Sequence, residues 1–402
     1  MMDDLDLVFE EDPDRGRHRH RRSTVTKRKK KKKRRGRGRT FLALFLVLLL
    51  FGGLGFGVWY GFDRIQGYFT TPDYNSSGTS EVQIEVKQNE TATDIANTLF
   101  RAGVVKSAKA FVDAANLNPR SRNIEPGVYK LRKQMRASDA LAMLLDANSK
   151  VVTKVTIPEG RTAIATYKIL AEKTGLKVED FVAAGKDPIK LGVPDFWFKR
   201  TDGKPAGTPS VEGFLFPATY EFSPGSTAEQ VLKTMVAQFI TVATEIRFLE
   251  RVQAERGGIS PYEALITASL AQAEAGVPED IGKIARVAYN RVYKKDMPLQ
   301  FDVTVNYWWE LTGQPTKSSG QMTESDLHNP KNPYNTHDVR GLPPTPIDNP
   351  GRTALEGAMA PPDGAWIFFV AIDKEGHSAF ASTDAEHERN KQKACQNGVL
   401  TC

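Results

Sequence analysis

SPYEALITASLAQAEAG, residues 260–276, is the stretch on which the fold turns. It opens with a complete helix-start signal. Ser260 fits an N-cap, Pro261 the first helical position, and Glu263 the acid of a capping box. Gly276 and Pro278 mark the stop. The residues between are mostly small and apolar. Glu274 is the misfit. It falls in the last turn, where the helix dipole disfavours negative charge. It also continues the i+4 ridge of Tyr262, Ile266 and Leu270, which turns it toward the core. Both effects favour the neutral acid and predict a raised pKa. Glu274 is then either a functional acid or a carboxylate satisfied by solvent or a partner.

Outward from this helix the pattern is that of an α+β chain. Ordered structure begins with the alternating EVQIEV, 81–86, a strand signal. Helical patterns follow at 91–102 and 107–116, then the turn and strand of PGVYKL from Pro126, then a helix at 137–147. This strand–helix–helix–strand unit, 81–150, resembles a LysM-type module, a fold that binds glycan strands of cell walls. VVTKVTIPEG, 151–160, reads as a strand ending in a turn. Helices are expected at 162–174, 177–184, 226–255, 260–275 and 279–294, with a Gly/Pro-rich loop at 200–210. A short strand is expected in AWIFFVAI, 365–372.

Charge is unevenly distributed. Residues 1–14 hold seven acids and no Lys or Arg, and residues 15–39 hold sixteen Lys or Arg and no acid. With a formal total of +7, residues 40–402 sum to −2. The basic character belongs to the tail, so it does not argue that the main body binds nucleic acid. Residues 1–40 cannot bury a core and are expected to be disordered. FLALFLVLLLFGGLGFGVWYGF, 41–62, contains 22 uncharged residues, about 33 Å of helix, enough to span a bilayer. A cleaved signal peptide would have a shorter apolar core and an A-x-A site. The segment therefore reads as an uncleaved anchor, and the preceding positive charges put the N-terminus in the cytoplasm. Residues 63–80 read as a linker, 151–392 as a catalytic domain lying outside, and 393–402 as a tail. Cys395 and Cys402 either close a small disulfide loop or remain thiols.

Several catalytic patterns are absent: no G-x-S-x-G, no Walker loop, no H-E-x-x-H. No metal site or cofactor is expected. His377 and His387, in GHSAFASTDAEH, suit structural or substrate contacts better than metal ligation. Carboxylates in apolar settings are the stronger lead: Glu212 in VEGFLFP, Glu274, and Asp302 in MPLQFDVTVNYWW. Aromatics around acids suit sugar rings, and glycoside cleavage uses an acid of raised pKa. Glu212 fits equally a buried acid held by backbone N–H groups, and Asp302 equally a loop cap.

Eight motifs in order assemble into a resemblance: IPEG (157–160), EGFLFPATY (212–220), ASLAQAE (268–274), YNRV (289–292), LQFDVTV (299–305), NPYNTH (332–337), GLPPTPIDNPG (341–351) and GHSAFAST (376–383). Together they resemble the MltG (YceG-like) family, endolytic murein transglycosylases of the bacterial inner membrane, over residues 82–390. The resemblance implies that Glu274 is catalytic. Gln272 stands where many members carry a second Glu, and Asp348 where a small residue is more usual. Glu212, Gln300, Asp302, Tyr334 and Asn335 are the implied candidates for holding glycan or orienting Glu274. The resemblance also implies peptidoglycan as substrate, the membrane as anchor site and cell-wall synthases as possible partners. Two alternatives stay open: a muramidase-type hydrolase using Glu274 with Glu212 or Asp302, and a non-catalytic wall-binding protein.

Overall fold

The structure, a computed structural model, describes residues 45, 47–58, 71–204 and 207–400. The chain divides into two units, Met1–Thr71 and Pro72–Cys402. In the first, residues 45 and 47–58 are helical, and apolar side chains such as Leu50 and Phe51 are exposed. Among the described residues no helix is long and apolar enough to cross a membrane. The expected span, 41–62, lies partly outside the described residues, and the charged tail, 1–40, wholly outside them.

The second unit holds two hydrophobic cores. The smaller lies within residues 84–144. Strands β1 (Glu81–Val86), β2 (Gly127–Arg132) and β3 (Lys150–Val151) form an antiparallel sheet in that order. Helices α1 (Ala92–Arg101), α2 (Ala108–Leu117) and α3 (Ala137–Leu144) accompany it. Period-2 burial puts Ile84 and Val86 on the inner face of β1, where Ile84 faces Tyr129 of β2 and the neighbouring Val82 faces Leu131.

The expected strand at 151–160 is two strands. β3 completes the small sheet, whereas β4 (Thr153–Thr156) pairs with β5 (Thr219–Phe222) beside the larger core. Consecutive strand residues thus serve two different sheets, which a continuous β-branched run does not disclose.

The larger core is built on helices: α4 (Ala163–Thr174), α5 (Val178–Ala184), α6 (Ala228–Glu245), α7 (Phe248–Glu255), α8 (Pro261–Glu274), α9 (Ile281–Tyr289), α10 (Val303–Leu311) and α12 (Arg352–Met359); the short α11 (Glu324–Leu327) buries no residue. The single helix expected over 226–255 is divided between α6 and α7, because Arg247 takes a left-handed conformation, φ 55°. The chain ends in the hairpin of β6 (Phe368–Ala371) and β7 (Ser378–Ala381), followed by α13 (Asp384–Gln396). Cys395 is disulfide-bonded; Cys402 lies outside the described residues.

The segment before the Gly/Pro-rich loop is part of the core. Trp197 is buried with its ring 5.2 Å from Phe239, 5.7 Å from Phe214 and 5.9 Å from Phe248. Truncating such a residue costs about 3–5 kcal/mol. Arg200 and Asp202 form a buried ion pair, and Arg200 also donates to the carbonyls of Pro343 and Pro344. This segment therefore braces the 341–351 loop.

Candidate active site

α8 starts as its sequence dictates. Ser260 Oγ accepts the Glu263 N–H at 3.2 Å, and the Glu263 carboxylate accepts the Ser260 N–H at 2.8 Å. Residues Tyr262 to Ala271 are buried all round, so α8 is a central helix. Its polar side chains hold the 341–351 loop. Ser269 Oγ accepts from the Ile347 N–H at 3.1 Å, and Gln272 Oε1 from the Gly351 N–H at 3.0 Å. Glu274 is the last helical residue. Two residues on, a Cβ at Gly276 would strike the Gly376 backbone. Glycine there is what lets the β6–β7 hairpin close against the end of α8.

Glu274 opens into a cavity of about 300 Å³ lined also by Arg291, Gln300, Asp302, Asn306, Ser319, Phe369 and His387. Its Oε1 is enclosed and has no hydrogen-bond partner. Burial pushes its pKa up to about 8, the charge of Asp302 adds to the rise, and the Val303 N–H opposes it. The direction agrees with the sequence expectation, but enclosure and a neighbouring anion are the causes. Asp302 is driven the other way. His337, whose Nε2 lies 3.1 Å from Oδ1, holds it below the usual carboxylate range against the effect of burial, and Ser319 contributes a further hydrogen bond. Two carboxyls in one cavity are thus pushed apart, one toward the neutral acid and one toward the anion. That is the arrangement that separates an acid role from a charge-stabilising role.

The YceG-like family matches residues 84–393 of this chain. The chain belongs to the YceG-like family. An endolytic murein transglycosylase of Bacillus subtilis is 30% identical over 320 residues, 78% of this chain and 84% of the relative. One from Streptococcus pneumoniae is 28% identical over 352 residues, 84% of this chain and 62% of the relative. The crystal structure of a YceG-like protein from Listeria monocytogenes covers 78% of this chain and 99% of its own, with a TM-score of 0.51 and 27% identity.

In this YceG-like chain the cavity gathers three of the six residues expected at the site: Glu274, Gln300 and Asp302. Glu212 sits elsewhere in the core, 2% exposed. Its Oε1 accepts from the Ala163 N–H at 2.8 Å and Asn349 Nδ2 at 3.2 Å, and its Oε2 accepts from the Tyr307 hydroxyl at 3.1 Å. Burial raises its pKa to about 8 despite these bonds. Gly213, at φ 90°, has no space for a Cβ against Pro346 and so lets the Glu212 turn meet the same loop. Tyr334 packs edge-on to Tyr307, ring centroids 4.8 Å apart, and shares a 3.0 Å hydrogen bond with Thr345. Asn335 is a loop organiser: its Oδ1 accepts the N–H groups of His337 and Asp338, and its Nδ2 donates to Asp338.

Of the two histidines, His387 lines the Glu274 cavity, its ring stacked on Phe368 at 4.8 Å. His377 lies at the surface, paired with Asp373 at 2.9 Å. Among the described residues no group of three or more His, Cys, Asp or Glu is placed to hold a metal ion. Sequence reasoning did not single out Arg291 or His337, although YNRV and NPYNTH contained them. Their partners lie far along the chain, so only the position of a basic residue inside a motif hinted at them.

Proposed function

We infer that this protein is a lytic transglycosylase that cuts peptidoglycan internally, with Glu274 as its acid and base. The carrying observation is the Glu274 carboxyl: raised to about 8, with one oxygen unpartnered, in a cavity shared with an ionised Asp302. At neutral pH its proton is in place. It passes to the oxygen between N-acetylmuramic acid and N-acetylglucosamine. As that bond breaks, C1 of the muramic residue gains oxocarbenium character, and the negative charge of Asp302 lines the same cavity. Glu274, now a carboxylate, takes the proton of the C6 hydroxyl. O6 bonds to C1, which leaves a 1,6-anhydro end and restores the acid. No water enters, so no second carboxylate is needed to activate one.

The rest of the chain fits such a role. Residues 41–62 serve as a single-pass anchor with the N-terminus cytoplasmic, supported by apolar composition, the preceding positive charges and the exposed apolar side chains of 47–58. Residues 81–150, with their own core, serve as a LysM-like glycan-binding module ahead of the catalytic domain at 151–392. Held at the membrane, the enzyme meets strands as synthases extend them and limits their length.

Asp302 favours one competing reaction, hydrolysis by an acid–carboxylate pair. Glu212 does not, being enclosed by its three partners. Mass spectrometry of peptidoglycan digested by the full chain decides between them. Internal cuts with anhydro-muramic ends are expected, and none from Glu274→Gln. Hydrated reducing ends would establish the hydrolase instead.

A further inference from the structure

Arg291 is a buried cation in the Glu274 cavity to which the reaction above gives no task. It lies in a single π-turn, Asn290–Lys294, that prolongs α9. Such turns concentrate at functional positions. Its guanidinium joins two distant segments. Nε donates to the Ile367 carbonyl at 2.6 Å, just before β6. Nη1 donates to the Leu299 carbonyl at 2.8 Å and to Gln300 Oε1 at 3.0 Å. The Phe368 ring covers the guanidinium carbon at 5.2 Å.

Gln300 itself is held in an unusual backbone state. Its φ is 56°, a left-handed conformation that costs a residue with a Cβ about 1–2 kcal/mol. The Gln300 N–H bond to the Thr336 carbonyl, 2.9 Å, and the adjacent Phe301 N–H bond to Thr336 Oγ1, 3.0 Å, hold it there. The side chain is equally constrained. A guanidinium has only donors, so it must face the oxygen of the Gln300 amide, and the NH₂ end is turned away from it.

The geometry points to Arg291 as a positioning residue that orients the Gln300 amide, so that its NH₂ donates a hydrogen bond to an acceptor oxygen of the glycan in the Glu274 cavity. This rests on the transglycosylase reading for the identity of the ligand. Arg291 touches no substrate; its effect passes through Gln300.

The test uses the full chain in detergent micelles with purified glycan strands, following new ends with time. The variants are Arg291→Lys, Gln300→Ala, their combination, and Gln300→Glu, which keeps an oxygen for Arg291 but has no NH₂. Gln300→Ala and Gln300→Glu are each expected to raise KM about three- to tenfold, the size of one neutral hydrogen bond, with kcat within about twofold. Arg291→Lys should raise KM by a similar factor, because an ammonium cannot reproduce the fork. The double variant should be no worse than Gln300→Ala alone. KM effects that multiply in the double variant would overturn the proposal. So would unchanged KM in Arg291→Lys with a lowered melting temperature, the mark of a purely structural residue. Reducing ends from the wild-type chain would overturn the transglycosylase reading, while the KM comparison would still decide this one.

Discussion

Glu274 and Glu212 are both core-facing glutamates with pKa values near 8, yet their surroundings have opposite character. Glu212 uses both oxygens on three protein donors and opens into no cavity with Glu274. Glu274 keeps one oxygen without a partner and faces a cavity. A raised pKa therefore reports burial in both cases, and it does not by itself mark a catalytic acid. Unused hydrogen-bonding capacity beside an open space is what separates them.

Substituting each acid should break the likeness. Glu274→Gln is isosteric and loses nothing the fold uses, so its melting temperature should match the wild type near pH 4.5 and exceed it at neutral pH, where the wild-type carboxyl must take up a proton to fold. Its rate of anhydro-end formation should fall about a thousandfold or more, the upper range for losing an acid–base group. Glu212→Ala should do the reverse. It strands the Ala163 N–H and takes one partner each from the Asn349 amide, which keeps the Arg161 carbonyl, and the Tyr307 hydroxyl, at a cost of about 2–3 kcal/mol in denaturant unfolding. The activity of the molecules that remain folded should stay within about twofold.

The pH dependence sharpens the contrast. Both carboxyls hold their proton more tightly in the folded chain than the ordinary value of 4.5 allows. Their contribution to stability is therefore fully present below about 4.5, falls as pH rises, and levels off above about 8. Each Glu→Gln substitution should remove up to about 1.4 kcal/mol per pH unit of that slope, read from unfolding free energies across pH 5–8. Activity should decline only on the alkaline side, as Glu274 loses its proton near pH 8, and Glu212→Gln should leave that decline where it is. The smallest shift in the pH profile belongs to Asp302→Asn. Removing its charge lowers the Glu274 pKa, so the alkaline decline should move to lower pH by less than about one unit. An unmoved profile would mean that Asp302 does not act on Glu274 through charge.

The contrast also shows what could be read from sequence. The start of α8 was legible because Ser260, Pro261 and Glu263 act within one turn. The end of α8 at Glu274 was legible for the same reason, and Gln300 with Asp302 through one short motif. Glu212 was identified as an acid in an apolar run, but its partners come from Ala163, Tyr307 and Asn349, and no local pattern tells a satisfied carboxyl from an available one. The strand division after Val151 and the helix break at Arg247 were hidden by tertiary packing, which overrode continuous local propensity. The role of Trp197 as a core residue was obscured by the Gly/Pro-rich sequence that follows it.

The contact between Gly276 and Gly376 joins backbones a hundred residues apart in the chain. Phe369 and His387, which line the Glu274 cavity, lie on the same late hairpin and helix. A ribosome therefore delivers the acid well before it delivers this part of the wall that encloses it. The earlier part of that wall, Leu299 to Val303, follows the acid by only some twenty-five residues. If Glu274 is the acid proposed above, a growing chain holds that acid for a hundred residues before it holds the glycine against which the end of α8 packs.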